Sequence, residues 1–162
     1  MRKLILLIFL LMLAARTTDV FAYNDAFYKG VANFVYGFPK MVKDGQGGLC
    51  VYGYDQVAVA IEEKYKGVIF FKSENKLSAG FSKNICKVLY VSKNKDSATS
   101  LAIKLANQAQ VVSIGIDDDF VDKGGMILVQ MGRRSFELTI HHKNIKEFKT
   151  KFDPLVEGLV VN

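Results

Sequence analysis

Two cysteines are the residues whose chemistry is easiest to place from the sequence. Cys50 lies in an apolar segment, Cys86 lies just before another, and there is no third cysteine. Two cysteines cannot by themselves complete a four-ligand zinc site or build a dense disulfide scaffold. They can pair in an oxidising compartment, which we expect here, or remain two buried thiols. The pair would close a loop of about 36 residues and stabilise the fold by about 3–4 kcal/mol.

A run of aspartates and a pair of histidines are the candidates for metal binding. Asp117, Asp118 and Asp119 are consecutive, and consecutive side chains do not point towards one ion, nor does an EF-hand spacing follow them. His141 and His142 are adjacent, whereas neighbouring residues of a strand face opposite sides of the sheet. We therefore expect a solvated loop, surface histidines and no metal site.

The glycine-rich segments match no motif that binds a cofactor. Gly45, Gly47 and Gly48 precede an apolar segment and lack the lysine and the Ser or Thr that complete a phosphate-binding loop. Gly53 stands alone where a dinucleotide-binding turn has three glycines. No serine or cysteine lies in a nucleophile-elbow motif such as G-x-S-x-G. The sequence therefore predicts no cofactor and no catalytic residue.

The first 22 residues have the pattern of an export signal. A positive start, Met1–Lys3, precedes twelve uncharged residues, Leu4–Ala15, and small residues Val20 and Ala22 occupy the −3 and −1 positions of a cleavage site. Twelve residues span about 18 Å as a helix, against about 30 Å of hydrocarbon in a membrane. We expect cleavage near Ala22 and export from the cytosol; the alternative is an uncleaved anchor.

The remaining chain is expected to form one domain, residues 23–162. It carries 19 basic and 15 acidic residues, and its lysines are scattered, which favours a solvated surface over a nucleic-acid groove. Half of the full 162-residue sequence is hydrophobic and 23% is charged. This composition excludes a disordered or collagen-like chain and suffices for a substantial core.

The hydrophobic pattern predicts the α/β elements that position these residues. Helices are expected at 24–38, 56–65, 96–108 and 154–161, strands at 49–52, 68–71, 87–91 and 111–114, and irregular structure at 73–80. Alternation of strands with helices favours a mostly parallel sheet flanked by helices, and apolar strands favour burial on both faces. The predicted fold class is therefore α/β, with a mostly parallel sheet covered by helices.

The last third of the chain has an antiparallel pattern. Residues 126–131 are apolar, 135–140 alternate between apolar and polar, and 132–133 can form a two-residue turn with glycine first. We expect a C-terminal hairpin on an edge of the sheet. Gly124-Gly125-Met126 predicts a tight turn that needs positive φ. That turn would determine where the preceding Phe120 projects.

These segments, in this order, resemble the YfiR family of small periplasmic proteins over about residues 24–160. The matching pieces are Phe34, Phe38 and Pro39 in the first helix, Cys50-Val51-Tyr52-Gly53, Cys86 to Ser92, Phe120 with Gly124-Gly125-Met126-Ile127, and Phe136-Glu137-Leu138. Phe38 stands where the family usually has Trp, and Thr139 where it usually has Asn. The chain also lacks the second cysteine pair of some members.

The resemblance implies a Rossmann-like α/β sandwich, in agreement with the predicted elements, and a regulatory role without catalysis. It implies a periplasmic repressor that holds an inner-membrane diguanylate cyclase inactive by binding its periplasmic domain. An outer-membrane lipoprotein partner and a homodimer are also implied, whereas export argues against nucleic-acid partners. The expected partner contacts are apolar residues on the first helix and near the glycine turn: Phe34, Phe38, Phe120, Gly124, Gly125 and Met126.

A second function class is a binding module for a small periplasmic ligand or a cell-wall fragment. Open α/β sheets bind ligands in the crevice outside the carboxyl ends of their strands. In this sequence that crevice would be lined by Gly53, Tyr54, Ser92 and Asp117.

Overall fold

Six strands form one sheet between two layers of helices in the computed structural model, which describes residues 24–43, 47–93, 96–132 and 136–141. Residues 24–37 form helix α1, which leads into a 3-10 turn at Phe38–Lys40. The other elements are β1 (Gly48–Tyr52), α2 (Gln56–Lys64), β2 (Ile69–Phe71), α3 (Glu74–Ser82), β3 (Cys86–Val91), α4 (Asp96–Gln108), β4 (Val112–Gly115), β5 (Ile127–Met131) and β6 (Phe136–Ile140).

The strand order is β2-β1-β3-β4-β5-β6. The first five strands are parallel and β6 runs antiparallel to β5 at the edge. Helix α2 connects β1 to β2, and the chain then returns through α3 past β1 to begin β3, so the direction of winding reverses between β1 and β3. This confirms the predicted α/β class and the C-terminal hairpin. It also defines the carboxyl edge at the reversal as the usual place for a site.

The two faces of the sheet are packed by different helices. Val51 and Tyr90 belong to a core shared with α1 and α2. Their strand neighbours Cys50 and Leu89 belong to a core shared with α3 and α4. Because successive strand residues face opposite sides, these apolar strands fill both cores, as predicted for a covered parallel sheet.

The prediction of irregular structure at 73–80 is wrong. Helix α3 occupies Glu74–Ser82 and buries Leu77 and Phe81, which are four residues apart and lie on one helix face. The polar residues that suggested a loop form its exposed face. Packing of this short apolar stripe against the sheet stabilises a helix that local propensity does not specify.

Some predictions fall outside the described residues: the export segment 1–22, the helix at 154–161 and the full hairpin turn at 132–133. In the described part of the chain, no helix combines the length and apolar character needed to cross a membrane.

Candidate functional site

Cys50 and Cys86 form the disulfide expected from the sequence. Their strands are neighbours in the sheet, and the Cα atoms lie 5.5 Å apart. Both cysteines are buried against α3 and α4. The bond therefore ties β1 to β3 inside the core, away from solvent and from the carboxyl edge.

The glycine turn before β5 positions an aromatic ring in the core. Gly124 has φ +93°, as the sequence predicts. The Phe120 ring lies so close to Gly115 and Gly125 that a Cβ on either glycine would overlap it. The backbone N–H of Met126 donates to Ser113 Oγ at 3.2 Å, which anchors the start of β5 to β4. The motif therefore holds the β4–β5 connection in place.

Most of the residues predicted as partner contacts are buried. Phe120 and Met126 are each 1% exposed, and Phe38 is 2% exposed, so these side chains cannot contact a partner in this conformation. Gly125 is buried as well, whereas Gly124 is half-buried. The motif that resembles the family most closely thus serves packing.

Phe34 is the predicted contact on α1 that keeps partial exposure. Its ring centroid lies 5.3 Å from that of Phe38 and 5.6 Å from that of Phe136. These tilted aromatic contacts attach α1 to the edge strand β6. A role for Phe34 in partner binding stays a prediction.

Asp55 organises the carboxyl edge where the winding reverses. One carboxylate oxygen accepts the N–H of Ala58 at 2.9 Å and caps α2. The other accepts the Tyr90 hydroxyl at 2.8 Å and the N–H of Lys93 at 3.1 Å. Desolvation raises the pKa of Tyr90 well above its usual value, and the Asp55 carboxylate raises it further. Asp55 is not among the site residues predicted from the sequence, although an aspartate directly before a helix is a capping signal.

Each aspartate in the run 117–119 has its own partner. Asp117 Oδ1 lies 3.2 Å from Lys93 Nζ. Asp118 accepts a hydrogen bond from the Gln130 amide at 3.0 Å. Asp119 pairs with Lys123 at 2.6 Å on the same turn. The three carboxylates thus do not converge, and the described residues contain no group of three potential metal ligands.

His141 lies directly after β6, where its backbone N–H donates to the carbonyl of Met126 at 3.0 Å. Its Nδ1 is buried and has no hydrogen-bond partner among the residues that the structure describes. The backbone bond extends the β5–β6 pairing. His142 lies outside the described residues.

Two grooves lie along the carboxyl edge in place of the single crevice expected. One, of about 430 Å³, is lined by Gly53, Tyr54, Glu62, Phe70 and Lys72. Asp117 lines the other, and Ser92 is fully buried, its backbone N–H donating to the Tyr52 carbonyl. The four residues predicted to share a crevice are therefore divided.

The second groove, which we call the α1–β5 groove, has a volume of about 370 Å³ and is more open than the first. Its lining residues come from the start of α1 and from the ends of β3, β4 and β5: Phe27, Tyr28, Lys93, Ile116, Asp117, Asp118, Val129, Gln130 and Met131. The described lining thus combines apolar and aromatic side chains with a surface that is more polar than apolar, and the charged groups come from the loops that follow β3 and β4.

Comparison with solved structures shows the same fold in another protein. A conserved domain protein from Vibrio cholerae O1 biovar eltor str. N16961 matches with a TM-score of 0.62 at 14% sequence identity. The match covers 81% of this chain, which spans 59% of the length of that protein. Cystalysin from Treponema denticola matches at 14% identity over 54% of this chain and 27% of its own, with a TM-score of 0.39, too low to indicate a shared fold.

Comparison with sequence families is more informative. No curated protein sequence matches significantly. The YfiR/HmsC-like family matches residues 22–156, which is most of the chain and includes both cysteines and the glycine turn. This protein therefore belongs to the YfiR/HmsC-like family.

Proposed function

We propose that this protein is a periplasmic regulator that binds the periplasmic domain of an inner-membrane diguanylate cyclase and holds the enzyme inactive. The family match over residues 22–156 carries the proposal. The mechanism is a population shift, in which the regulator binds the inactive conformation of the cyclase more tightly than the active one. Release by an outer-membrane lipoprotein and a homodimeric state belong to the same proposal.

The chemistry of the carboxyl edge supports an interaction protein over an enzyme. The Asp55 carboxylate accepts three hydrogen bonds from its own chain. Asp117 is engaged by Lys93. An acid–base catalyst must keep a group within reach of the proton that it transfers. These carboxylates instead connect elements of the fold.

The buried disulfide supports work in the periplasm. Disulfides persist in oxidising compartments and are rare in the cytosol. A Cys50–Cys86 bond fits a chain that is exported and loses residues 1–22. The domain that acts would then be residues 23–162.

Gene deletion tests the function directly. In a strain that makes cyclic di-GMP, deletion should raise the level of the nucleotide. Adding back the full-length gene should lower it to the wild-type level. The control is a gene that lacks codons 2–22. Its product stays in the cytosol and should leave the level of cyclic di-GMP high. An unchanged nucleotide level after deletion would contradict the proposal.

Binding of a small periplasmic ligand is the second candidate function. The groove of about 430 Å³ beside Tyr54 and Phe70 favours it, because two aromatic side chains line it next to Lys72 and Glu62. A ligand that binds tightly stabilises the folded state by mass action. A thermal-shift screen with periplasmic metabolites and cell-wall fragments should then give at least one saturable increase in Tm that is lost in Tyr54→Ala.

A further inference from the structure

We propose that the α1–β5 groove binds an arginine or lysine side chain of the protein partner. Its stem rests on Phe27, Tyr28 and Met131, and its charge pairs with Asp118. This inference rests on the proposed function, since it assigns the surface that meets the cyclase. It replaces the buried residues near the glycine turn as the contact surface.

The shape of the groove favours a side chain supplied by a protein. Small-molecule sites bury most of the surface of the ligand. This groove, of about 370 Å³, is more open than the groove beside Tyr54, so a free small molecule would keep more of its surface in water here. A side chain presented by a folded partner needs only one enclosed end, and Arg is enriched among such interface anchors.

The walls fit the stem of a long basic side chain. Phe27 and Tyr28 lie against each other edge to face, with ring centroids 5.5 Å apart. Met131 at the other wall is 41% exposed, which is high for an apolar side chain at the end of a strand. Aliphatic stems of Arg and Lys pack on such surfaces, and aromatic rings attract their charge.

The charges of the groove favour a cation over an anion. Lys93 lies at the side of the groove, and its ammonium is already paired with Asp117. Asp118 is exposed, accepts the Gln130 amide and forms no ion pair within the described residues. The pKa of Lys93 is held above its usual value mainly by Asp117, and Asp118 and Asp119 raise it further. Lys93, Asp117 and Asp118 together give the described lining of the groove a net charge of −1, on a protein whose net charge is +6.

A matched pair of charge reversals tests the proposal. Affinity is measured by calorimetry between the mature protein and the purified periplasmic domain of a diguanylate cyclase from the same genome. Asp118→Lys should weaken binding at least about tenfold, since like charges in an interface are strongly unfavourable. Asp122→Lys makes the same change in the same loop outside the groove, and should stay within about threefold of wild type. Asp118→Asn should weaken binding less and reduce its dependence on salt.

The outcomes separate this proposal from the function. If wild type does not bind the cyclase domain, the proposed function fails and the groove proposal fails with it. If wild type binds and both reversals have equal effects, or none, the function stands and the groove is not the contact. If Asp118→Lys changes the oligomeric state and leaves cyclase binding intact, the occupant is a second copy, and the proposal is overturned.

Discussion

Asp55 and Phe120 show how single residues hold the carboxyl edge of this protein together. The Asp55 carboxylate links α2, β3 and the loop after β3 through hydrogen bonds of 2.8–3.1 Å. The Phe120 ring fills the space that Gly115 and Gly125 leave open. Both residues act inside the fold. A change at either one should therefore affect stability before it affects any surface.

Replacing Gly125 by alanine should destabilise the protein. The added Cβ would overlap both the Phe120 ring and its backbone carbonyl, so the loop before β5 must shift. Overpacking of this kind costs about 1–3 kcal/mol. Gly37→Ala is the control, because a Cβ there meets nothing within 4 Å. Urea denaturation should show a lower midpoint for Gly125→Ala than for wild type, and an unreduced midpoint for Gly37→Ala. Equal midpoints for the two variants would contradict the packing argument.

Removing the Tyr90 hydroxyl should change the response of stability to alkaline pH. The pKa of folded Tyr90 is raised, first by desolvation and then by Asp55. The tyrosine of the unfolded chain, with a pKa of about 10, therefore ionises first as pH rises. The stability that protonated Tyr90 contributes is complete below about pH 10 and is lost above that pH. Between about pH 9 and 11, the free energy of unfolding should fall more steeply in wild type than in Tyr90→Phe. Parallel curves would refute this.

At the scale of elements, α3 shows why local pattern was insufficient. Its apolar stripe consists mainly of Leu77 and Phe81, too little to distinguish a nine-residue helix from a loop. The other helices have longer stripes or a clear cap, such as Asp55 before α2. For a short helix such as α3, packing against the sheet contributes more to its formation than the helix propensity of its own residues does.

Leu77→Ala should therefore lower the free energy of unfolding by more than the position of Leu77 in a polar segment suggests. Leu77 is fully buried between α3 and the sheet. Truncating a buried leucine costs about 2–5 kcal/mol, since a cavity is left behind. Lys76→Ala, on the exposed face of the same helix, should change the free energy of unfolding by less than about 0.5 kcal/mol. Chemical denaturation of both variants measures the contrast, and a small effect at Leu77 would argue against the packed helix.

At the scale of the whole molecule, the disulfide and the export segment both indicate an oxidising compartment. A bond between Cys50 and Cys86 requires an oxidising environment. The N-terminal pattern supplies a route to one. The family and the proposed partner agree with that destination, and cell fractionation can test it separately from any binding assay.

The exported form should begin at Tyr23 and contain no free thiol. Intact mass under non-reducing conditions checks both properties, and alkylation should add nothing until a reductant is present. Leu7→Arg, which places a charge in the apolar part of the signal, should leave unprocessed protein in the cytosol. Leu101→Arg is the control, since Leu101 is an exposed residue of α4. Wild-type protein with residues 1–22 still attached and two reactive cysteines would contradict the prediction.

The order of apolar segments was enough to predict most of the fold. Continuous apolar runs such as those at β1 and β3 are buried on both faces, so a covered parallel sheet follows from their composition. Alternation in 136–140 likewise determined β6 as an edge strand with one apolar side. The pairing of the two cysteines also followed, because the sequence contains only two.

Only the tertiary structure decided which residues meet the solvent and which meet each other. Phe120 and Met126 look like surface anchors in the sequence, yet the sheet buries them. Asp118 and Met131 lie 13 positions apart and line one groove because β4 and β5 are neighbours. The exposure of a side chain depends on contacts between segments that are far apart in the sequence, and the local pattern of residues does not specify those contacts.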